Sequence, residues 1–123
     1  MRLSREEFAE LVTQALEGVP DEFLEKLQNV YVTVEDNPSA EDYEKAHLPA
    51  GVQILGLYHG VPLGRRSPFS PMSMPDRITI FQRPIEARSR SRADIIKQVR
   101  RTVLHEIAHH FGISDKRIRE LGY

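Results

Sequence analysis

The chain contains no cysteine. That absence removes a disulfide framework, a thiolate zinc site, an iron–sulfur cluster and a cysteine nucleophile, so any metal must be held by nitrogen and oxygen ligands. Long apolar runs are missing too, and the sequence predicts no membrane-spanning helix and no membrane partner. Met1–Glu10 is charged and lacks the apolar core of a signal peptide, which makes a cytoplasmic protein the expectation. Net charge is nearly absent, −1 from 17 Lys+Arg against 18 Asp+Glu. The balance hides a split: residues 1–50 carry 4 basic and 12 acidic side chains, residues 51–123 carry 13 and 6. What is present, 123 residues with 40% hydrophobic content, suits a single domain spanning 1–123 and argues against disorder.

Ser4 and Glu7 have capping-box spacing, and Phe8, Leu11, Val12, Ala15 and Leu16 follow at helical period, which predicts a helix over about residues 5–17 ending at Gly18. Pro20 opens a short second helix carrying Phe23, Leu24 and Leu27. Val30–Val34, Val52–Tyr58 and Arg77–Phe81 read as strands, the second interrupted by Gly56 and the third ended by Pro84. Ser39 and Asp42 can cap a turn of helix. Four prolines put Val61–Pro75 in a loop, either a wall of a substrate cleft or a solvated surface. Helices, strands and a long C-terminal helix make an α+β class.

That last helix is predicted over 92–111, with Ser91 and Asp94 as its cap and no Gly or Pro before Gly112. On a wheel of about 100° per residue, Val99, Val103, Ile96, Ile107, Phe111 and Leu104 form a core stripe. His105 and His109 stack one turn apart at the edge of that stripe, with Glu106 displaced around the helix. Two imidazoles so placed can bind one metal ion. A left-handed Gly112 turns the chain back, which lets Asp115 come round as a third ligand. A hydrolytic zinc site needs three protein ligands and one open position for water, and Glu106 is kept off the metal but beside it, where it can take the water's proton. An accidental His-Glu-x-x-His is expected in roughly one chain in fifty of this composition, and the added Gly and Asp make chance far rarer.

The run His105-Glu106-Ile107-Ala108-His109-His110-Phe111-Gly112-Ile113-Ser114-Asp115 resembles the extended motif of zincin metallopeptidases. More narrowly, with Leu55–Leu63 and Pro75–Phe81, it resembles the minimal zincin-like family of small bacterial proteins, over about residues 4–121. The resemblance implies a small mixed sheet packed against a long C-terminal active-site helix. It also implies His105, His109 and Asp115 as ligands of Zn²⁺, and Glu106 as the base that activates a metal-bound water. It further implies a strand before that helix that borders the cleft and pairs with extended peptide, for which Arg77–Phe81 is the candidate. Only Lys116–Tyr123 follow the third ligand and none is Met, so the Met-turn of metzincins is absent. Asp in place of a third His lowers the positive charge of the site, which weakens Lewis acidity and opens it to other divalent metals.

The expected function is therefore a zinc-dependent peptidase acting on a peptide or protein. Three alternatives share the ligand set: a non-catalytic metal-binding or regulatory protein, a non-haem iron enzyme, which leaves Glu106 idle, and a metal-dependent hydrolase of RNA. The last leans on a basic cluster, Arg83, Arg88, Arg90, Arg92, Lys97, Arg100 and Arg101. It has no interleaved aromatics and no helix-turn-helix pattern, so a solvated face pairing with the acidic half is the favoured reading over nucleic acid. His110 is expected beside a carboxylate or backbone carbonyl and not on the metal. His47 and His59 are expected at the surface or in turns, and Tyr58 and Tyr123 as packing residues with wet hydroxyls.

Overall fold

Ser4 Oγ accepts the Glu7 N–H at 3.1 Å and Glu7 Oε1 accepts the Ser4 N–H at 3.1 Å. This capping box starts α1, Arg5–Glu17, which buries Phe8, Leu11, Val12 and Ala15. The structure, a computed structural model, describes residues 1–60 and 76–123; the loop expected at Val61–Pro75 lies outside the described residues. After α1 come α2 (Asp21–Leu24, continued by a 3₁₀ turn), β1 (Val30–Glu35), α3 (Ala40–Ala46) and β2 (Gly56–His59). They are followed by β3 (Asp76–Phe81), α4 (Gln82–Ala87), α5 (Arg92–Phe111) and α6 (Asp115–Glu120). Among the described residues no helix is long and apolar enough to cross a membrane.

The sheet has the order β1-β3-β2, with β1 parallel and β2 antiparallel to β3. β3 is therefore the middle strand. This corrects the expectation that Arg77–Phe81 borders the cleft, because a strand paired on both sides has no free backbone groups to offer a peptide. Its position also explains its composition: Ile78, Ile80 and Phe81 are fully buried. The edge next to α5 is β2, shorter than Val52–Tyr58 suggested, because its ladder with β3 runs only over Gly56–His59, with one further bond at the Leu55 carbonyl. Pro84 does not merely end β3. It lies in the first turn of α4, where the missing N–H costs no helical bond.

The fold is α+β, a small mixed sheet against the long helix α5. Ile95, Val99, Val103, Leu104, Ile107 and Ala108 of α5 join α1 and the sheet in one core. α5 approaches β2 so closely that a Cβ on Gly56 would stand 2.5 Å from Thr102 Cγ2; glycine is required there. Part of the basic cluster serves this packing. Arg92 pairs with Glu7 at 2.7 Å, Arg83 with Glu86 at 2.7 Å and with Asp36 at 4.0 Å. Arg100 donates to the carbonyls of Ala15 (2.9 Å) and Gln14 (3.3 Å) at the C-terminal end of α1, where positive charge is favourable.

Candidate metal centre

Ser91 Oγ accepts the Asp94 N–H at 3.1 Å and starts α5, which then runs without interruption to Gly112. Gly112 is left-handed, at φ 72°, and the Ile113 N–H returns to the Ala108 carbonyl at 2.8 Å. Ser114 next caps α6 with its side chain, so Asp115 becomes the first residue of that helix. The reversal brings His105, His109 and Asp115 together: one ligand atom from each lies within 4.8 Å of the others. Arg117, bonded to both carboxylate oxygens of Glu22, ties α6, which begins at Asp115, to α2.

The donors suit a divalent metal. Two imidazoles and a carboxylate form a nitrogen and oxygen set that zinc accepts. Atoms bound to one tetrahedral zinc stand roughly 3.3 Å apart, so modest rotation of the exposed His109 and Asp115 side chains closes the remaining gap. Burial pushes the His105 imidazole below its usual proton affinity, and the nearby Arg101 charge adds to that. A neutral ring is the form that binds metal.

Glu106 lies at the side of this group. Its Oε1 accepts the Tyr58 N–H at 2.9 Å, and its Oε2 stands 3.9 Å from His109 Nδ1. Burial raises its proton affinity above the ordinary carboxylate value, outweighing the Tyr58 bond and the pull of His109. Tyr58 is the residue the sequence did not single out for this role, and no side-chain pattern signals it, because the donor is a backbone N–H 48 residues away.

The Tyr58 hydroxyl is committed elsewhere. It donates to Asp76 Oδ2 at 2.8 Å, and its ring stacks on His110 with centroids 3.9 Å apart. His110 Nε2 stands 3.9 Å from the same Asp76 oxygen, outside the ligand group and beside a carboxylate. His47 is the left-handed C-cap of α3, a turn residue as expected. His59 departs from expectation: its side chain is 11% exposed, Nε2 is 3.9 Å from Asp42, and Nδ1 has no partner among the described residues. The Tyr123 hydroxyl accepts from Arg100 at 3.2 Å and takes no part in the centre.

Two hollows meet at Glu106. One, about 620 Å³, lies between Gln53–Gly56 and the face of α5 that carries Arg101 and His105. The other, about 480 Å³, is walled by Leu57, Tyr58, His109 and His110. Both follow β2. The Leu55 carbonyl accepts the Phe81 N–H at 2.9 Å, whereas the Tyr58 N–H points to Glu106. Ladder alternation then turns the backbone groups of Gly56 outward as well, toward the hollows.

The family model of zincin-like metallopeptidases matches residues 27–123. Among solved structures, the chain is similar to a conserved hypothetical protein from T. thermophilus. Identity is 30%, the match covers 89% of this chain and 94% of that one, and the TM-score is 0.59. No curated protein matches the chain.

Proposed function

The chain belongs to the zincin-like metallopeptidase family, and from that premise we propose that it is a metal-dependent peptidase, with zinc as the working ion. His105, His109 and Asp115 hold the ion, and Glu106 is the general base. The observation that carries this reading is the Glu106 carboxylate, anchored through one oxygen to Tyr58 and left with the other beside the ligand group. A bound divalent ion supplies Lewis acidity, lowering the pKa of water and stabilising negative charge on the attacked carbonyl oxygen.

Glu106 takes a proton from the attacking water at Oε2 and returns it to the departing amine. Its raised proton affinity suits both steps, since a carboxylate far below the working pH is a poor proton donor. The Tyr58 bond fixes Oε1, so the free oxygen keeps one orientation through the cycle. Substrate lies along β2, where the outward backbone groups of Gly56 can pair with an extended peptide, and the stacked His110 and Tyr58 rings shape the wall on one side.

The test is metal analysis of protein purified without added metal, followed by a general peptide-substrate screen with Glu106→Gln as control. The reading expects zinc, cleavage, and loss of cleavage with retained zinc in the variant. Zinc without cleavage makes the protein a metal-binding relative of the peptidases, and iron redirects it to oxygen chemistry.

A further inference from the structure

The basic cluster divides by partner and by place: Arg90 and Lys97 have no side-chain hydrogen bond or ion pair among the described residues but lie outside the hollows, and the other arginines fall into two groups. Arg83, Arg92 and Arg100 are spent on carboxylates and helix carbonyls within the fold. The guanidinium groups of Arg88 and Arg101 make no hydrogen bond or ion pair among the described residues, and both line the 620 Å³ hollow. Arg101 lies one turn before His105 on the same face of α5, and Arg88 follows the last residue of α4. Glu106 is the sole carboxylate of that wall among the described residues, and one of its oxygens is already bonded. Two guanidinium groups therefore face a single carboxylate there. The opposite wall carries Leu48, Ile54 and Leu55, while the hollow beyond Glu106 has no Lys or Arg among its described lining residues.

We propose that Arg88 and Arg101 form a carboxylate-binding subsite, so that the protein selects peptides presenting an acidic side chain or a free C-terminus on the His105 side of the centre. The proposal rests on the peptidase reading. The guanidinium fork matches a carboxylate through two parallel N–H bonds, and Arg88 and Arg101, both exposed residues lining the same hollow, are accessible to such a ligand. The selectivity is local, since a chain with net charge −1 exerts no overall pull on anions. Nucleic acid fits this wall less well, because among the described residues no Phe, Tyr or Trp lines it to stack a base.

Binding to the zinc-loaded Glu106→Gln protein separates selection from cleavage. The probes are fluorescein-labelled octapeptides of Ala and Leu with a single Glu or Gln at each position in turn, each made as free acid and as amide, read by anisotropy. The expected result is about tenfold tighter binding of a Glu peptide over its Gln partner, or of the free acid over the amide. The first identifies a side-chain carboxylate as the ligand, the second the terminal one. The preference disappears in Arg88→Gln/Arg101→Gln and survives in Arg101→Lys, which keeps the charge. Equal binding of all probes, no binding up to about 1 mM, a preference that persists in the double Gln variant, or tighter binding of a labelled RNA octamer overturns the proposal. A preference that holds while the peptide screen shows no cleavage leaves the subsite standing and removes the peptidase reading.

Discussion

Glu86 of α4 and Glu106 of α5 are two largely buried glutamates with the same kind of backbone partner and opposite surroundings. Glu86 Oε2 accepts the Leu3 N–H at 2.8 Å, and Glu106 Oε1 accepts the Tyr58 N–H at 2.9 Å. Glu86 also receives Arg83 at 2.7 Å and Gln82 at 3.2 Å. Burial pushes its proton affinity up, yet these three donors together hold it below the ordinary value. Glu106 has one such donor, so burial prevails and its proton affinity rises. Glu86 has more donors, one of them a charged guanidinium, while burial weighs more heavily at Glu106. A carboxylate with its oxygens filled is a latch, tying the start of the chain to α4; one with an open oxygen is available to take a proton.

The largest expected break between them is catalytic. Glu106→Gln should lower peptide turnover by about 10²–10⁴-fold at unchanged zinc content, and Glu86→Gln should leave turnover intact; steady-state kinetics with metal analysis of both proteins checks this. Next in size is Asp115→Ala, which touches neither glutamate's bonds and should weaken zinc binding by at least about a hundredfold, read by competition with a chromogenic chelator.

Stability should separate the pair in the reverse sense. Glu86→Gln loses an ionic latch and should cost about 1–3 kcal/mol in urea unfolding. Because the folded state holds Glu86 below its ordinary value of 4.5, its contribution is complete above that pH and is lost as pH falls through the folded value. The variant should therefore unfold with a flatter acid limb than the wild type. Glu106 has the opposite sign. Its folded value lies above 4.5, so the ionised form is a burden to the metal-free protein at neutral pH. Chelator-treated Glu106→Gln should melt slightly above the wild type at pH 7, the smallest effect of the set. The gain should shrink as pH falls through the folded value toward 4.5.

The features readable from sequence are those made within a turn or two of chain. Ser4, Ser91 and Gly112 mark ends that α1 and α5 adopt, because caps and left-handed glycines act on neighbouring residues. The stacking of His105 and His109 follows from helical spacing alone. Elements that depend on partners were harder to read. Val52–Ile54 has strand-like composition but lies outside the ladder with β3, and α4 and α6, six residues each, are too short to show a period. α6 matters most among these, since it presents Asp115 and is held by Glu22 from far along the chain.

By itself, then, the sequence determined the two main helices, the pairing of His105 with His109, the placement of Glu106 beside them and the turn at Gly112 that sends the chain back toward Asp115, all consequences of helix geometry and one reversing glycine. Tertiary structure alone decided that β2 and not β3 borders the centre, that a Tyr58 N–H anchors Glu106, and that Arg88 and Arg101 come to line one hollow beside it. The physical reason is range. Capping and side-chain stacking act over one helical turn, whereas strand order, burial and ion pairing depend on which distant segments the core draws together.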